Sequence, residues 1–547
     1  MSKSDPIFNT LTAPGTPFAI GVQDGMRRFV NAAPNLNAFI ETARRHGDKT
    51  FIVEGDRRIS FAELFTLRDA LVARMGMQNG NRVAICMSNR AEWLIAFVAV
   101  IRAGGIAALV NSRGAPAELR EAIESVTPTL VLADERRAQL LKESGYKGAI
   151  LKAQDFPETG AAPAEQPSAG ANDPCTILFT SGTTGKVKGA VLSHANVVQG
   201  LMSVQLSGLM VLHGMAQQYN MTIDELLAMV PQQGSLLVSP LFHISGLGAA
   251  FLSPLVAGSK VVLMPRWDGQ EAAQLIEREQ VTLFSGVPTM FWDVLHAAAE
   301  TGADLSSLRN IASGGQALPV NILDELREAC PQAILGTGYG MTETSGSVSM
   351  AVGADFIRKR SSAGRVLAIV DMRVEDAEGN VLPPGEPGEL VVHGPVVMQG
   401  YWENPEETAK CIGGDGWLRT GDIGIIDDEG YVFIVDRKKD MVISGGENIF
   451  CAEVERVIGH MAGVAECATF GVPDERMGEA LVAIVRTDEP VSAEQISSAV
   501  GQELAKYKIP TAIRFIDEPL PRNPVGKIDK IALRKLWPQL CSEQAGS

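Results

Sequence analysis

Patterns typical of β-strands and of amphipathic helices alternate along most of this chain, and this alternation restricts the fold more than any single motif does. The apolar run Arg82–Met87, a helix pattern that begins at Ala91 and a second apolar run at Gly105–Val110 predict a βαβ unit. The same alternation returns after Lys260. The pattern predicts an α/β fold with parallel sheets. Since a single core rarely grows beyond about 300 residues, a chain of 547 residues is expected to form more than one domain.

The character of the sequence changes twice in its second half. From about residue 365 to residue 436 the segments are short, rich in β-forming residues and interrupted by Pro and Gly, which predicts a small β-subdomain. The charged cluster Asp436–Asp440 follows, and after it strands and helices alternate on a smaller scale. We therefore predict a large N-terminal domain over residues 1–436 and a small α+β C-terminal domain over residues 437–547, joined at residues 436–440.

Composition and charge exclude several classes of protein. A net charge of −16 argues against a general nucleic-acid-binding or anionic-membrane-binding surface, which needs a basic excess. The seven cysteines are scattered without a Cys-x-x-Cys pair, and the first residues lack the apolar core of a signal peptide. The longest apolar stretches are interrupted by charged residues or proline, so no integral membrane segment is expected. A reduced, cytoplasmic protein is the expectation.

The most distinctive motif is Thr180-Ser-Gly-Thr-Thr-Gly-Lys-Val-Lys-Gly189, which follows an apolar segment. Glycines allow close approach of the backbone to a ligand, hydroxyl groups donate hydrogen bonds and lysines balance negative charge, so this composition suits a polyphosphate. The P-loop pattern is not met, because Thr180 and Val187 stand where that pattern requires Gly and Ser or Thr. A flexible turn between a strand and a helix is the plainer alternative.

Further candidate residues lie in other turns. His243 stands among apolar residues, Glu343 ends the second of two Gly-rich strand exits, Asp422 follows a Thr-Gly pair, and Lys527 lies in a Pro- and Gly-containing turn. A carboxylate at a strand exit suits Mg²⁺, and an Asp in a turn suits a ribose diol. Taken singly, each has an ordinary interpretation as a buried structural histidine or an exposed loop residue.

In this order, the motifs resemble those of the adenylate-forming superfamily, which comprises acyl-CoA synthetases, carrier-loading adenylation domains and firefly-type luciferases. The resemblance extends from about Asn37 to Leu536 and is most like a fatty-acyl-CoA synthetase. The family usually has Pro where Val187 stands. The matching segments are Thr180–Gly189, Pro240–His243, Ser313–Gly315, Tyr339–Glu343, Thr420–Asp422, Asp436–Asp440, Ser444–Asn448 and Pro524–Lys527.

The resemblance implies two steps: a carboxylate attacks the α-phosphate of ATP and gives an acyl-adenylate and pyrophosphate, and the thiol of coenzyme A then displaces AMP. It implies that Lys527 bridges the carboxylate and the α-phosphate, and that Mg²⁺ is held by Glu343 and Thr183. Lys439 becomes the hinge residue of a rotating C-terminal domain. The implied ATP- and CoA-binding residues are Thr180, Ser181, Gly182, Thr183, Thr184, Lys188, Gly315, Gln316, Ala317, Gly338, Tyr339, Thr342, Asp422, Arg437, Ser444, Gly445 and Gly446.

The resemblance also implies which residues line the acyl pocket. Most of them are apolar or small, with no obvious cation for a second carboxylate, so an apolar acid is expected. Glycines at 338 and 340 suggest depth, which favours a medium- or long-chain fatty acid over an aryl or cinnamate-type acid. The implied lining residues are His243, Val287, Met290, Ser313, Gly338, Gly340, Met341, Thr344 and Ser345.

Three other functions stay open at this point. The chain would be an adenylating enzyme that loads a separate carrier protein, a luciferase-like oxygenase, or a non-catalytic nucleotide-binding protein that has kept only the fold. The presence of Lys527, Glu343, Asp422 and Arg437 argues against the last of these. A homodimer is common in the family, and the small-molecule partners implied are a carboxylic acid, ATP and CoA.

Overall fold

The computed structural model describes residues 5–161, 169–181, 187–228, 231–314, 320–437, 440–444, 447–474, 476–522 and 527–543. The strands, in chain order, are β1 (Ile20–Gln23), β2 (Met26–Phe29), β3 (Thr50–Glu54), β4 (Arg57–Ser60), β5 (Arg82–Cys86), β6 (Ile106–Leu109), β7 (Leu130–Ala133), β8 (Ile150–Lys152), β9 (Pro174–Ser181), β10 (Val187–Ser193), β11 (Gly234–Leu237), β12 (Lys260–Leu263), β13 (Leu283–Gly286), β14 (Asn310–Gly314), β15 (Ile334–Met341), β16 (Gly346–Val352), β17 (Arg365–Val366), β18 (Asp371–Glu375), β19 (Gly388–His393), β20 (Gly400–Tyr401), β21 (Leu418–Ile426), β22 (Val432–Arg437), β23 (Val442–Ser444), β24 (Glu447–Ile449), β25 (Val464–Asp474), β26 (Gly478–Thr487) and β27 (Ala512–Phe515). The α-helices are α1 (Pro6–Leu11), α2 (Leu36–Glu41), α3 (Phe61–Met75), α4 (Ala91–Arg102), α5 (Pro116–Ser125), α6 (Glu135–Glu143), α7 (His194–Gln218), α8 (Ile223–Ala228), α9 (Ser253–Ala257), α10 (Gly269–Arg278), α11 (Pro288–Thr301), α12 (Val320–Ala329), α13 (Ala354–Arg358), α14 (Pro405–Cys411), α15 (Cys451–Gly459), α16 (Ala493–Glu503) and α17 (Lys530–Glu543).

Two compact units make up the chain. The first contains the residues up to Met372 together with Val392–Leu418, and the second contains Arg373–Val391 and everything from Arg419 onward. The mixed α/β fold class predicted from the sequence is confirmed. The domain boundary predicted at residues 436–440 is a hinge about which the C-terminal domain rotates. Compact units do not test such a hinge, so the boundary stays a prediction.

The first unit contains two large sheets. One has seven strands in the order β20-β10-β9-β6-β5-β7-β8, and the other has nine in the order β17-β16-β15-β14-β13-β11-β12-β3-β4. The βαβ unit predicted from Arg82 onward is present as β5, α4 and β6, with β5 and β6 parallel. The strand exits predicted to be Gly-rich belong to β14 and β15, which are parallel neighbours in the nine-stranded sheet.

Helix α4 explains how the two sheets stack. Its sequence is apolar around the whole helix, and eleven of its twelve residues are buried. A helix that is apolar on all faces needs neighbours on all faces. The core cluster around Trp93 contains Ile85 of the seven-stranded sheet and Val261 of the nine-stranded sheet, so both sheets share one core. The two large sheets are therefore stacked on a shared core.

Helix α7 follows β10 directly and packs against it. Its start is a capping box in which Ser193 Oγ accepts from Asn196 N (3.1 Å) and Asn196 Oδ1 accepts from Ser193 N (2.8 Å). The helix continues to Gln218, and the short helix α8 follows it. Among the described helices α7 alone is long and apolar enough to cross a membrane, and 56% of its apolar window is buried.

The second unit contains two smaller sheets. Strands β18, β19, β21 and β22 form a four-stranded sheet, as the β-rich composition of this region predicts. Strands β23 to β27 form a five-stranded sheet, in which β26 pairs with β23, β25 and β27. Helices α15 and α16 contribute Val454 and Val500 to one core of this sheet, and α17 contributes Leu533 and Trp537 to another. The C-terminal region is therefore an α+β arrangement.

Candidate active site

The phosphate loop predicted at Thr180–Gly189 connects two paired strands. Strands β9 and β10 are antiparallel, with Thr180 opposite Lys188 and Phe179 opposite Gly189. A side chain on Gly189 would lie 2.7 Å from Ile177 Cγ2, so this position has no room for one. The structure describes the two ends of the loop. The predicted phosphate ligands Gly182, Thr183 and Thr184, and the side chain of Ser181, lie outside the described residues.

Lys188 is engaged in two interactions at the base of this loop. Its ammonium group forms an ion pair with the carboxylate of Glu407 and lies 5.2 Å from the centre of the Tyr401 ring. The hydrogen bond from Lys188 and a second one from Lys410 lower the pKa of Glu407 to about 2. Val187, where the resemblance predicts Pro, is paired with Ser181 and is 41% exposed. The departure at Val187 therefore leaves the hairpin intact.

Glu343 is buried at the end of β15. It lies in a single 3₁₀ turn, Thr342–Thr344, and only 7% of its surface is exposed. The Thr344 hydroxyl accepts from Met341 N (3.0 Å), and Ser345 Oγ donates to Val396 O (2.8 Å), so this turn is held on both sides. The backbone carbonyl oxygen of Glu343 accepts a hydrogen bond from Met398 N (2.8 Å). The surrounding chain therefore fixes the position of the Glu343 backbone.

Tyr401 is a site residue that the sequence interpretation missed. Its hydroxyl group donates to Glu343 Oε1 over 2.8 Å. Burial and the nearby Glu343 carboxylate raise the pKa of the Tyr401 phenol, which keeps the phenol protonated as a donor. Tyr401 lies in β20, which pairs with β10 so that Tyr401 is opposite Ala190. Nothing local in the sequence indicates this pairing.

Four parallel neighbours in the nine-stranded sheet, β11, β13, β14 and β15, bring the predicted acyl-pocket residues to one edge. Carboxyl ends of parallel strands lie on the same side of a sheet, and ligands of such sheets bind there. In register, Gly286 pairs with Ser313, and Gly314 pairs with Gly338. Val287 follows β13 directly and Met290 lies in the first turn of α11. Val287, Ser313 and Gly338 are thus brought together, while Gly315, Gln316 and Ala317 lie outside the described residues.

Gly340 has a structural role that differs from the one expected. A side chain at this position would meet the carbonyl oxygen of Gly346 at 1.9 Å, because β15 and β16 approach closely there. At Gly338 a side chain would come within 3.2 Å of Ser349 O. The sequence suggested that these glycines leave space for a deep pocket. At Gly340 the backbone of the neighbouring strand β16 occupies that space.

His243 begins an unusual helical segment. The backbone N–H of Leu247 donates to the His243 carbonyl (2.9 Å), and residues Ser245–Leu252 form a π-helix, a geometry often found at functional sites. The His243 ring packs on Phe242, with ring centroids 4.5 Å apart, and Phe242 is in the core. A side chain on Gly246 would lie 2.1 Å from Pro240 O. His243 thus lies between a turn closed by its own N–H, which donates to Pro240 O (3.1 Å), and the start of the π-helix.

The remaining predicted residues lie in the second unit. Asp422 on β21 is opposite Arg437 on β22, is 8% exposed, and its backbone N–H donates to Thr420 Oγ1 (3.1 Å). Ser444 ends β23. The predicted hinge residue Lys439, the CoA-contacting Gly445 and Gly446, and the side chain of Arg437 lie outside the described residues.

Lys527 lies in a turn that is closed at its base. Asp529 N donates to Pro521 O (2.8 Å), and Arg522 pairs with Ile528 across the turn. Asp529 then caps α17 by accepting from Ala532 N (3.0 Å). The two ends of the segment that precedes α17 are therefore held together, and residues 523–526 between them lie outside the described residues.

The structure describes one of the two residues predicted to hold Mg²⁺. Within the described residues there is no group of three or more His, Cys, Asp or Glu side chains that would hold a metal ion. Mg²⁺ needs few protein ligands when phosphates and water complete its octahedron, and carboxylate oxygen is a suitable donor. Glu343 fits this chemistry, and Thr183 lies outside the described residues.

Comparisons with known proteins show the family to which the chain belongs. Residues 39–402 match the family model described as AMP-binding enzyme, and residues 453–527 match that of the AMP-binding enzyme C-terminal domain. The chain is 34% identical to feruloyl-CoA synthase of an Amycolatopsis species over 91% of this chain and 97% of that protein. It is 33% identical to the long-chain-fatty-acid–CoA ligase FadD13 of Mycobacterium tuberculosis over 94% and 97%. The structure of O-succinylbenzoate coenzyme A synthetase of Bacillus subtilis in complex with ATP and magnesium ion superposes with a TM-score of 0.76 at 30% identity, covering 91% of this chain and 99% of that one.

Proposed function

The chain belongs to the AMP-binding enzyme family and is an acyl-CoA synthetase, and we propose that it activates an apolar carboxylic acid through an acyl-adenylate. The observation that carries this proposal is the connection of Glu343 to the base of the phosphate loop. Tyr401 donates to Glu343, and Lys188 of the loop strand lies over the Tyr401 ring. The Glu343 carboxylate, which is a suitable metal ligand, is thereby held next to the predicted phosphate loop.

The proposed first step is attack of the substrate carboxylate on the α-phosphate of ATP. Charge builds up on the equatorial oxygens of phosphorus, so positioned cations and hydrogen-bond donors accelerate this step. We assign the α-phosphate contact to Lys527 and Thr342, and the β- and γ-phosphate contacts to the loop at residues 180–184. Mg²⁺, which accompanies ATP in the Bacillus subtilis structure, would neutralise phosphate charge when bound, and Glu343 would hold it.

The proposed second step is attack of the CoA thiol on the acyl-adenylate, with release of AMP. Asp422 is assigned to the ribose, and Ser444 with the following two glycines to the pantetheine side. We propose that rotation of the C-terminal domain about Lys439 separates the two steps. Movement of a domain about a few hinge residues completes the set of catalytic groups around the substrate in many enzymes.

For the acid, we propose a medium- or long-chain fatty acid or a similar hydrophobic degradation intermediate. The residues assigned to the acyl pocket offer no cation for a second carboxylate, and one relative is named as a long-chain-fatty-acid–CoA ligase. An aryl or cinnamate-type acid is the second candidate. Two observations favour it: a relative that is 34% identical, against 33% for the fatty-acid ligase, is named feruloyl-CoA synthase, and Gly340 is closed off by Gly346 and so adds no depth.

Coenzyme A is the proposed acceptor, and a phosphopantetheinylated carrier protein is the alternative to be tested. We also propose that the enzyme works in a reducing cytoplasm, either as a monomer or as a homodimer. All seven cysteines are free in the structure, and burial raises the pKa of several, Cys330 to about 11 among them, which favours unreactive thiols.

A panel of acids tests the proposal. The panel should contain fatty acids of increasing chain length, ferulate, indoleacetate and a dicarboxylate, each assayed for acid-dependent pyrophosphate exchange and for CoA-dependent release of AMP. We expect exchange with apolar monocarboxylates and little with the dicarboxylate. Replacing CoA by a carrier protein decides the acceptor. Absence of exchange with every acid contradicts adenylation, and preference for the dicarboxylate contradicts the apolar pocket.

A further inference from the structure

The segment Met398–Tyr401 holds Glu343 at two points. Met398 N donates to the backbone oxygen of Glu343, and Tyr401 Oη donates to its carboxylate, both over 2.8 Å. Within the part of the chain that the structure describes, no other hydrogen bond reaches this carboxylate. The hydrogen bond from Tyr401 occupies Oε1 and leaves Oε2 for a ligand.

Tyr401 itself has little freedom to move. Its strand pairs with β10, and the flanking residues Gln399 and Trp402 donate backbone hydrogen bonds to Val191 (2.9 Å) and Gly189 (2.7 Å). Tyr401 N donates to Thr408 Oγ1 (2.8 Å). The ring is therefore fixed by the strand that carries the end of the phosphate loop.

A network of charged side chains also contacts the Tyr401 ring. The Lys188 ammonium lies over the ring, which attracts a cation by its negative face. Glu407 holds that ammonium in an ion pair, and Lys410 forms a second ion pair with Glu407. Lys188 and Glu407 are mostly buried, with side chains 13% and 19% exposed, so solvent screens their pair less than it screens a surface pair.

We propose that Tyr401 is a positioning residue for metal binding: its hydroxyl group fixes one oxygen of Glu343 so that the other faces the divalent cation that arrives with ATP. Partners of this kind orient the carboxylates that hold metals, and their loss commonly lowers metal affinity by about tenfold or more. The inference rests on the proposed function, because that function assigns the cation to Glu343.

The test is direct metal binding by the full-length chain. Mn²⁺ replaces Mg²⁺ as a spectroscopic probe, and its affinity is measured by electron paramagnetic resonance with a non-hydrolysable α,β-methylene ATP analogue, without acid or CoA. Tyr401→Phe keeps the ring under Lys188 and removes only the hydroxyl group. We expect its Mn²⁺ affinity to fall by about tenfold, with analogue binding in EDTA changed less than about twofold.

Two further variants separate positioning from a general structural effect. Tyr219→Phe removes a hydroxyl group from a residue that is 59% exposed at the end of α7, and it should leave Mn²⁺ affinity unchanged. Glu343→Gln should lower Mn²⁺ affinity further than Tyr401→Phe does. Adding Tyr401→Phe to Glu343→Gln should then have no additional effect on Mn²⁺ affinity, because the carboxylate that Tyr401 orients is gone.

Three results would overturn the inference: unchanged Mn²⁺ affinity in Tyr401→Phe, an equal loss in the Glu343→Gln background, or no nucleotide-dependent Mn²⁺ binding by the wild-type protein. The proposed reaction has a separate readout, which is acid-dependent pyrophosphate exchange. A Tyr401 effect on Mn²⁺ without any exchange contradicts the reaction and leaves the positioning role standing. Acid-dependent pyrophosphate exchange together with an unchanged Mn²⁺ affinity in Tyr401→Phe contradicts only the positioning role.

Discussion

Protonation of His194 should destabilise the first unit in mild acid. His194 is the first residue of α7 and is 1% exposed. Its Nδ1 accepts a hydrogen bond from Leu36 N (3.2 Å), so Nδ1 carries no proton and Nε2 carries the ring hydrogen. Nε2 is buried and has no partner among the described residues. A second proton would therefore fall on Nδ1, opposite an N–H donor, and it would charge a buried ring.

The sign and size of the effect follow from the pKa. Burial lowers the pKa of His194 from its ordinary value of 6.5 to about 4, and Asp173 opposes this shift. Between these values the unfolded chain binds the proton and the folded chain does not, so the free energy of unfolding falls as the pH falls through 6.5 toward 4. The full effect is about 3 kcal/mol, and about 2 kcal/mol of it is lost between pH 7.5 and pH 5.

Urea unfolding of wild type and His194→Asn at both pH values measures this contribution. The Asn side-chain oxygen replaces Nδ1 as acceptor for Leu36 N and cannot titrate. We expect the stability advantage of wild type over the variant to shrink by about 2 kcal/mol from pH 7.5 to pH 5. His213→Asn, on the same helix but half-exposed, controls for the loss of a histidine. An advantage that stays constant with pH refutes the reasoning.

Three other variants test the site and its scaffold. Lys527→Ala should reduce adenylate formation by about 100-fold or more while largely sparing thioester formation from supplied acyl-adenylate, and equal loss of both would contradict its role. Lys439→Pro should impair thioester formation much more than adenylation, measured as separate half-reactions, and a parallel decline would contradict the hinge. Gly340→Ala should destabilise the first unit by about 2 kcal/mol or more in urea unfolding, because the new methyl group meets Gly346 O at 1.9 Å. Gly314→Ala is its control, since no described atom lies within 4 Å of the added carbon, and similar losses in both would contradict the packing argument.

Local patterns in the sequence determined most of the secondary structure. The capping box at Ser60 and Glu63 begins α3, and the one at Thr222 and Glu225 begins α8. The apolar run Trp93–Ile101 lies in α4, and each of its residues is buried. These features depend on neighbours within a few residues, so a single sequence is sufficient to predict them. The order of the motifs was likewise sufficient to predict the family.

The tertiary structure alone decided which distant segments meet. No periodicity in the sequence pairs β20 with β10, and only that pairing brings the Tyr401 hydroxyl to Glu343 and the Tyr401 ring to Lys188. Gly340 is a second case of a contact between distant segments that the sequence does not reveal. The sequence suggested open space beside Gly340, and the close approach of β16 fills that space. A residue type restricts the local backbone, whereas its partners across a sheet depend on how the whole core packs. The sequence by itself thus determined the reaction class and most of the helices and strands. The packing of the sheets decided which residues surround the Glu343 carboxylate.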